Sequence, residues 1–152
     1  MEKIIDIFLV EDNLSDVQLT LHSFKKHHFN NKIKVFPDGE VVLDYLYKYC
    51  AGNDEMIICP KLILLDLKLP KVSGIEVLRK IKSNDKIKTI PIVILTSSKE
   101  ESDINECYQL GANSYIVKPV DFAKFAEAIK NLEMYWILLN EPPAVCIGMK
   151  SR

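Results

Sequence analysis

Asp66 ends a continuous apolar run, Leu62-Ile63-Leu64-Leu65, with Pro60 before it and Pro70 shortly after. Such a run reads as a strand buried on both faces. The carboxylate then falls at a strand's C-terminal end, the edge of an open α/β sheet where ligands collect. Three more strand-like stretches end in polar groups. Residues 4–10 are followed by Glu11-Asp12, 91–95 by Thr96-Ser97, and 114–117 by Lys118-Pro119. Singly, each has an ordinary explanation: acids capping a helix, a strand-end hydroxyl, a lysine in a turn. Jointly they put three carboxylates, a hydroxyl and an ammonium at the same edge of four strands. Carboxylates this close repel one another unless a cation sits among them. Oxygen-only ligands around an open, wet position suit magnesium, with manganese as the alternative ion.

The elements that must hold these groups alternate between apolar strands and amphipathic helices, which implies a parallel sheet covered on both faces. Residues 4–10 form the first strand, and Leu14, Val17, Leu21 and Phe24 repeat at helical spacing to about His28. Residues 32–36 form a second strand, followed by a turn at Pro37-Asp38-Gly39 and a helix carrying Val41, Val42, Leu43, Tyr45 and Leu46. Residues 50–60 lack periodicity and read as a loop or short helical extension. The third strand ends at Asp66, and Ser73-Gly74 opens a helix with Ile75, Val77, Leu78 and Ile81 inward. Residues 91–96 are the fourth strand. A helix over 99–110 is stopped by Gly111, 114–117 form the fifth strand, and Asp121 caps a last helix reaching about Leu139. The fold class is therefore α/β, a doubly wound five-stranded parallel sheet with five helices. In the order 2-1-3-4-5 the ends of the first, third, fourth and fifth strands converge at the switch point.

The chain of 152 residues, 48% hydrophobic, has a single domain's length and enough apolar side chains for a core. Twenty basic against 21 acidic side chains leave a net charge of −1, which argues against nucleic acid or an anionic membrane as partner. No run approaches the roughly 18 residues of a membrane span, and Met1-Glu2-Lys3 does not open a signal peptide. A cytoplasmic protein is expected. Cys50, Cys59, Cys107 and Cys146 show no metal-type spacing and read as free thiols; His22, His27 and His28 read as solvated helix residues.

From about Ile4 to Leu139 the chain resembles the response-regulator receiver domains of two-component signalling, CheY-like and flavodoxin-like in fold. The resemblance rests on Glu11-Asp12, Asp66, Pro70 with Ser73-Gly74, Thr96, Gly111-Ala112, Tyr115 and Lys118-Pro119, with Thr96 30 and Lys118 52 residues beyond Asp66. It implies that Asp66 is the phosphoacceptor. It further implies that Asp12 and Asp66 ligate magnesium together with the backbone carbonyl of Lys68, and that Glu11 reaches the metal through water. Lys118 would contact the phosphoryl group, and Thr96 with Tyr115 would form the switch. The phosphoryl donor would be a histidine kinase or phosphotransfer protein, and the protein no enzyme beyond self-catalysed phosphotransfer and slow autodephosphorylation. The likeness is greatest, through Tyr135-Trp136 and Asn140-Glu141-Pro142-Pro143, to stand-alone receivers paired with phytochrome-like or hybrid kinases.

The expected organisation is a receiver domain over residues 1–140 and a tail over 141–152, with no output domain and a protein contact or phosphorelay as output. Departures from the family pattern are a longer gap between Asp12 and Asp66, placed at residues 50–60, and Ser73 where Asp is frequent. Lys68 and Ser98 are expected to flank the path of hydrolytic water, and Lys118-Pro119 to be a cis peptide. Met134, Ile137 and Leu138 make the end of the last helix apolar all round, which calls for a cover: the tail, or a second copy in a homodimer. Two other classes share this fold. A flavin-binding electron carrier is disfavoured because Glu11-Asp12 would repel its phosphate. An unphosphorylated pseudo-receiver scaffold, or a phosphate sink in a relay, remains the alternative.

Overall fold

The computed structural model describes residues 5–26, 32–52, 59–119 and 121–141. Strands β1 (Ile7–Val10), β2 (Ile33–Phe36), β3 (Leu62–Leu65), β4 (Ile92–Thr96) and β5 (Ser114–Val117) alternate with five helices. These are α1 (Leu14–Lys26), α2 (Gly39–Tyr49), α3 (Gly74–Lys82), α4 (Glu101–Leu110) and α5 (Phe122–Glu133). The strands form a single parallel sheet, as the alternation implied, and their order is the flavodoxin-like one that was expected, β2-β1-β3-β4-β5.

Strand alternation sorts the core into two layers. Phe8, Val10, Ile63, Leu65, Ile92 and Ile94 point to one face and pack with Val42, Leu46, Val77, Leu78, Ile81 and Cys107 from α2, α3 and α4. Ile7, Leu9, Leu62, Leu64, Val93 and Leu95 point to the other and pack with Val17 and Phe24 of α1 and Phe125, Ile129 and Leu132 of α5. Central strands buried on both faces explain the unbroken apolar runs in the sequence.

Local signals set the helix ends. Ser73 Oγ accepts the Glu76 N–H and Asp121 Oδ1 accepts those of Ala123 and Lys124. Gly111 closes α4 in the left-handed conformation, with φ 109°. At residues 37–39 the sequence implied a turn, but α2 already begins at Gly39. Asp38 is its N-cap, accepting the Val41 N–H at 2.9 Å.

Other expectations are corrected by packing. Leu14, Leu21 and Val41 share the period of their helices yet are exposed, because only the sheet-facing stripe is covered. Phe122, whose place in the apolar repeat of the last helix would turn it inward, is 53% exposed at the first turn of α5. The last helix is not uniform: α5 ends at Glu133 and passes into a π-helical segment, Met134–Leu139. The Lys118–Pro119 bond is trans, since no cis peptide occurs among the described residues; the Lys118 N–H still extends the β-ladder to the Thr96 carbonyl at 2.7 Å. The end of α1 at His28, most of the 50–60 loop, and the tail beyond Glu141 lie outside the described residues. Among the described residues no helix is long and apolar enough to cross a membrane.

Candidate functional site

The register of the sheet aligns the strand ends that the sequence singled out. Val10 pairs with Leu65, Leu65 with Ile94, and Thr96 with Val117, so Glu11, Asp66, Thr96 and Lys118 emerge side by side. Backbone hydrogen bonds carry the ladder one step further: Glu11 N–H donates to Phe36 O at 3.0 Å and Asp66 N–H to Val10 O at 3.1 Å. The two acids thus leave the sheet on a rigid backbone.

Behind Asp66 the chain must turn sharply into α3. Gly74 allows it: a Cβ there would lie 2.1 Å from the Asp66 carbonyl oxygen, and the Gly74 N–H donates to Leu67 O at 2.9 Å. The Lys68 N–H approaches Asp66 Oδ1 at 3.4 Å, while the Lys68 side chain is exposed.

Lys118 crosses to the acids from β5. Its Nζ lies 3.0 Å from Asp66 Oδ2 and 2.8 Å from Asp16 Oδ2, and is also hydrogen-bonded to Glu11 Oε1. Glu11 and Asp66 are buried, and Lys118 and Asp16 half-buried. Asp12 stays exposed at the mouth, yet carboxylate oxygens of Glu11, Asp12 and Asp66 all lie within 4.8 Å of one another. That all-oxygen donor set fits a hard divalent cation of the magnesium or manganese kind.

The electrostatics split the two buried acids. Burial pushes Glu11 up to about 7, with the neighbouring Asp66 adding to the rise and the hydrogen bond from Lys118 opposing it. Asp66 goes the other way. Burial works against its charge, but hydrogen bonds from Glu11 and Thr96 and the Lys118 ammonium together hold its carboxyl below the ordinary value. Lys118 is raised: burial disfavours its charge, and the hydrogen bonds to Asp16 and Glu11 outweigh it. In the cation-free protein Glu11 therefore holds its proton more tightly than Asp66, which favours the ionised form beside a firmly charged lysine.

Thr96 is fully buried beneath the pocket. Its Oγ1 is 3.4 Å from the Ser98 N–H, and the Ser98 carbonyl accepts the Tyr115 hydroxyl at 3.0 Å. Tyr115 is half-buried against the α2–α4 layer. Ser98 donates its hydroxyl to Asp103 Oδ2 at 2.6 Å and is buried. The α4 acid takes the serine inward.

Of the residues picked from sequence, Glu11, Asp66, Thr96 and Lys118 meet directly, Asp12 borders them, and Tyr115 connects through Ser98. Asp16 was missed. The sequence marks it only as an acid in the first turn of α1, which by itself reads as an ordinary helix-start residue. Asn13 fixes that turn, accepting the Asp16 N–H at 3.0 Å while its own N–H donates to Glu11 Oε2 at 3.3 Å.

Known proteins resemble this chain in sequence and fold. The sequence matches the response regulator receiver domain family over residues 7–130. It is 36% identical over 137 residues to the probable methanogenesis regulatory protein FilR2 of Methanothrix harundinacea, covering 90% of this chain and 86% of that one. To the response regulator Rcp1 of Synechocystis sp. it is 35% identical, covering 91% of this chain and 92% of the relative. The crystal structure of the Mn(2+)-bound form of Rcp1 superimposes with a TM-score of 0.81 over 92% of this chain and 99% of that one, at 33% identity. The phosphorylated cyanobacterial phytochrome response regulator RcpA superimposes with a TM-score of 0.82 over 93% and 100%, at 35% identity. The converging strand-end acids, the lysine reaching back to them and these matches lead to one conclusion: the chain belongs to the response regulator receiver domain family of two-component signalling.

Proposed function

We propose that Asp66 accepts a phosphoryl group from the phosphohistidine of a histidine kinase or phosphotransfer protein, and that this switches a protein-interaction surface. The observation that carries the reading is the contact of Lys118 Nζ with Asp66 Oδ2 at 3.0 Å, closed across 52 residues of chain beside two further acids.

An ionised Asp66 oxygen attacks phosphorus in line. The new bond is an acyl phosphate O–P bond; the bond that breaks is the P–N bond of the donor, whose imidazole leaves. Phosphoryl transfer asks for positioning and charge neutralisation rather than covalent assistance. Lys118 supplies a fixed positive charge to the phosphoryl oxygens, and the rigid strand ends hold the nucleophile in place. Asp12, Asp66 and the Lys68 backbone carbonyl would hold the magnesium ion, with Glu11 reaching it through water; manganese would fit the same donors. When bound, that ion neutralises the phosphoryl oxygens and offsets the repulsion among the acids. The presence of manganese in Rcp1 and of a phosphoryl group in RcpA supports this reading.

Thr96 then donates to a phosphoryl oxygen. Its movement towards Asp66 loosens the Ser98 segment that holds the Tyr115 hydroxyl, and the β4–α4 surface repacks. On this reading residues 1–140 act as the receiver unit, 141–152 as a tail, and the output is a contact with another protein. A homodimer through the last helix is part of the proposal. Met134, Tyr135 and Leu139 are exposed there, beside a mostly apolar groove of about 290 Å³ lined by Ile116, Ala128, Asn131, Leu132, Tyr135 and Trp136.

Incubation with acetyl phosphate and magnesium, followed by intact mass measurement, tests the central step. One added phosphoryl group, absent in Asp66→Asn, is expected. No addition from acetyl phosphate or a phosphorylated kinase would leave the scaffold reading in its place.

A further inference from the structure

We propose that Asp16 is a positioning residue: it anchors the Lys118 ammonium in the pocket and keeps it aimed when the other two carboxylates turn to a cation. This rests on Asp66 being the phosphoacceptor. Lys118 Nζ meets three acids, and the Asp16 contact, 2.8 Å, is shorter than the 3.0 Å to Asp66. Two of the three, Glu11 and Asp66, also belong with Asp12 to the oxygen cluster that fits a divalent cation; Asp16 does not. A cation drawn to that cluster takes up the charge of Glu11 and Asp66 and repels the ammonium beside them. Without a further anion Lys118 would swing out to solvent, and the phosphoryl oxygens would lose their fixed positive charge. Asp16 is the carboxylate left to hold it.

The local backbone suits the task. The Asp16 N–H is fixed by Asn13 Oδ1 at 3.0 Å, its carbonyl accepts the Thr20 hydroxyl at 2.8 Å, and Asn13 is in turn tied to Glu11. The first turn of α1 is thereby bolted to the acid pocket, with Asp16 partly shielded from water. An acid in the first turn also favours the helix dipole, a role any such residue could fill. That role alone would alter stability and leave Lys118 untouched.

The test is Asp16→Asn, which removes the charge at constant shape, beside Asp16→Glu, which restores it. In the cation-free protein, residue-resolved amine labelling should modify Lys118 several-fold faster in the Asn variant and near the wild-type rate in the Glu variant. At saturating magnesium, acetyl phosphate should phosphorylate the Asn variant about tenfold more slowly, as expected of a displaced charge in a phosphoryl-transfer site. Lys118 labelling and phosphorylation both unchanged in the Asn variant would overturn the proposal. If that variant fails to fold by thermal melting, Asp16→Ser is judged by the same two measurements. Should the wild-type chain accept no phosphoryl group, the phosphoacceptor reading falls on that result, while the cation-free labelling still decides whether Asp16 holds the ammonium.

Discussion

At the scale of residues, Glu11 governs how the pocket responds to pH. Its carboxyl, at about 7 in the folded chain against 4.5 ordinarily, must lose a proton before it can serve a cation. Magnesium affinity, followed by titration calorimetry, should therefore rise from about pH 6 to about pH 8; a flat profile would remove Glu11 from the cation site. The cation-free protein should show the opposite trend in stability. A raised folded value means that the native state binds the proton more tightly, so the Glu11 contribution is complete below pH 4.5 and is lost as pH rises through about 7. Denaturant melts of wild type and Glu11→Gln should differ by that slope. Lys118 makes a second case. Lys118→Ala leaves Glu11, Asp16 and Asp66 without their shared cation, and removing one partner of a buried ion pair costs about 3–5 kcal/mol. Urea denaturation should record that loss, and added magnesium should recover part of it, because a divalent ion can replace the missing charge.

At the scale of elements, the strand ends and caps were legible because the signals are local. Asp121 and Ser73 cap α5 and α3 where the sequence suggested helix starts, and Gly111 takes the positive φ that stops α4. Helical period alone is a weaker guide to burial. Leu14 and Phe122 fit a helical repeat, yet both are exposed among the described residues, since a repeat does not say which turn reaches the sheet. Gly74 carries the tightest constraint between elements. Gly74→Ala would drive a methyl group into the Asp66 carbonyl and should destabilise the fold by about 1–3 kcal/mol or more, measured by equilibrium denaturation. Phosphorylation of that variant should slow as well, because the strain lands on the phosphoacceptor's own backbone. α4 offers a further check. Burial, with Asp103 and Glu106 nearby, pushes the Cys107 thiol up to about 11. Alkylation at neutral pH should spare Cys107 in the native protein and reach it only after unfolding, as residue-resolved mass measurement can follow.

At the scale of the whole molecule, the exposed apolar side chains at the far end of α5 bear on assembly. Tyr135 is 54% and Leu139 71% exposed, and light scattering at tens of micromolar should find a dimer that Leu139→Glu disperses; a monomer with and without phosphoryl donor would reject pairing through this helix. The sequence by itself determined the fold class and picked out Glu11, Asp12, Asp66, Thr96 and Lys118 as a set at the strand ends, while the strand order was taken from the flavodoxin-like pattern. Buried parallel strands must read as apolar runs, and their polar ends stand out against them. Only the tertiary structure decided that Asp16 joins Lys118, that Ser98 is claimed by Asp103, that Lys118–Pro119 is trans, and that the last helix changes pitch at Met134. Those outcomes depend on which side chains meet across elements distant in the chain, and on how burial and a single shared ammonium divide charge among acids whose spacing in sequence carries no record of it.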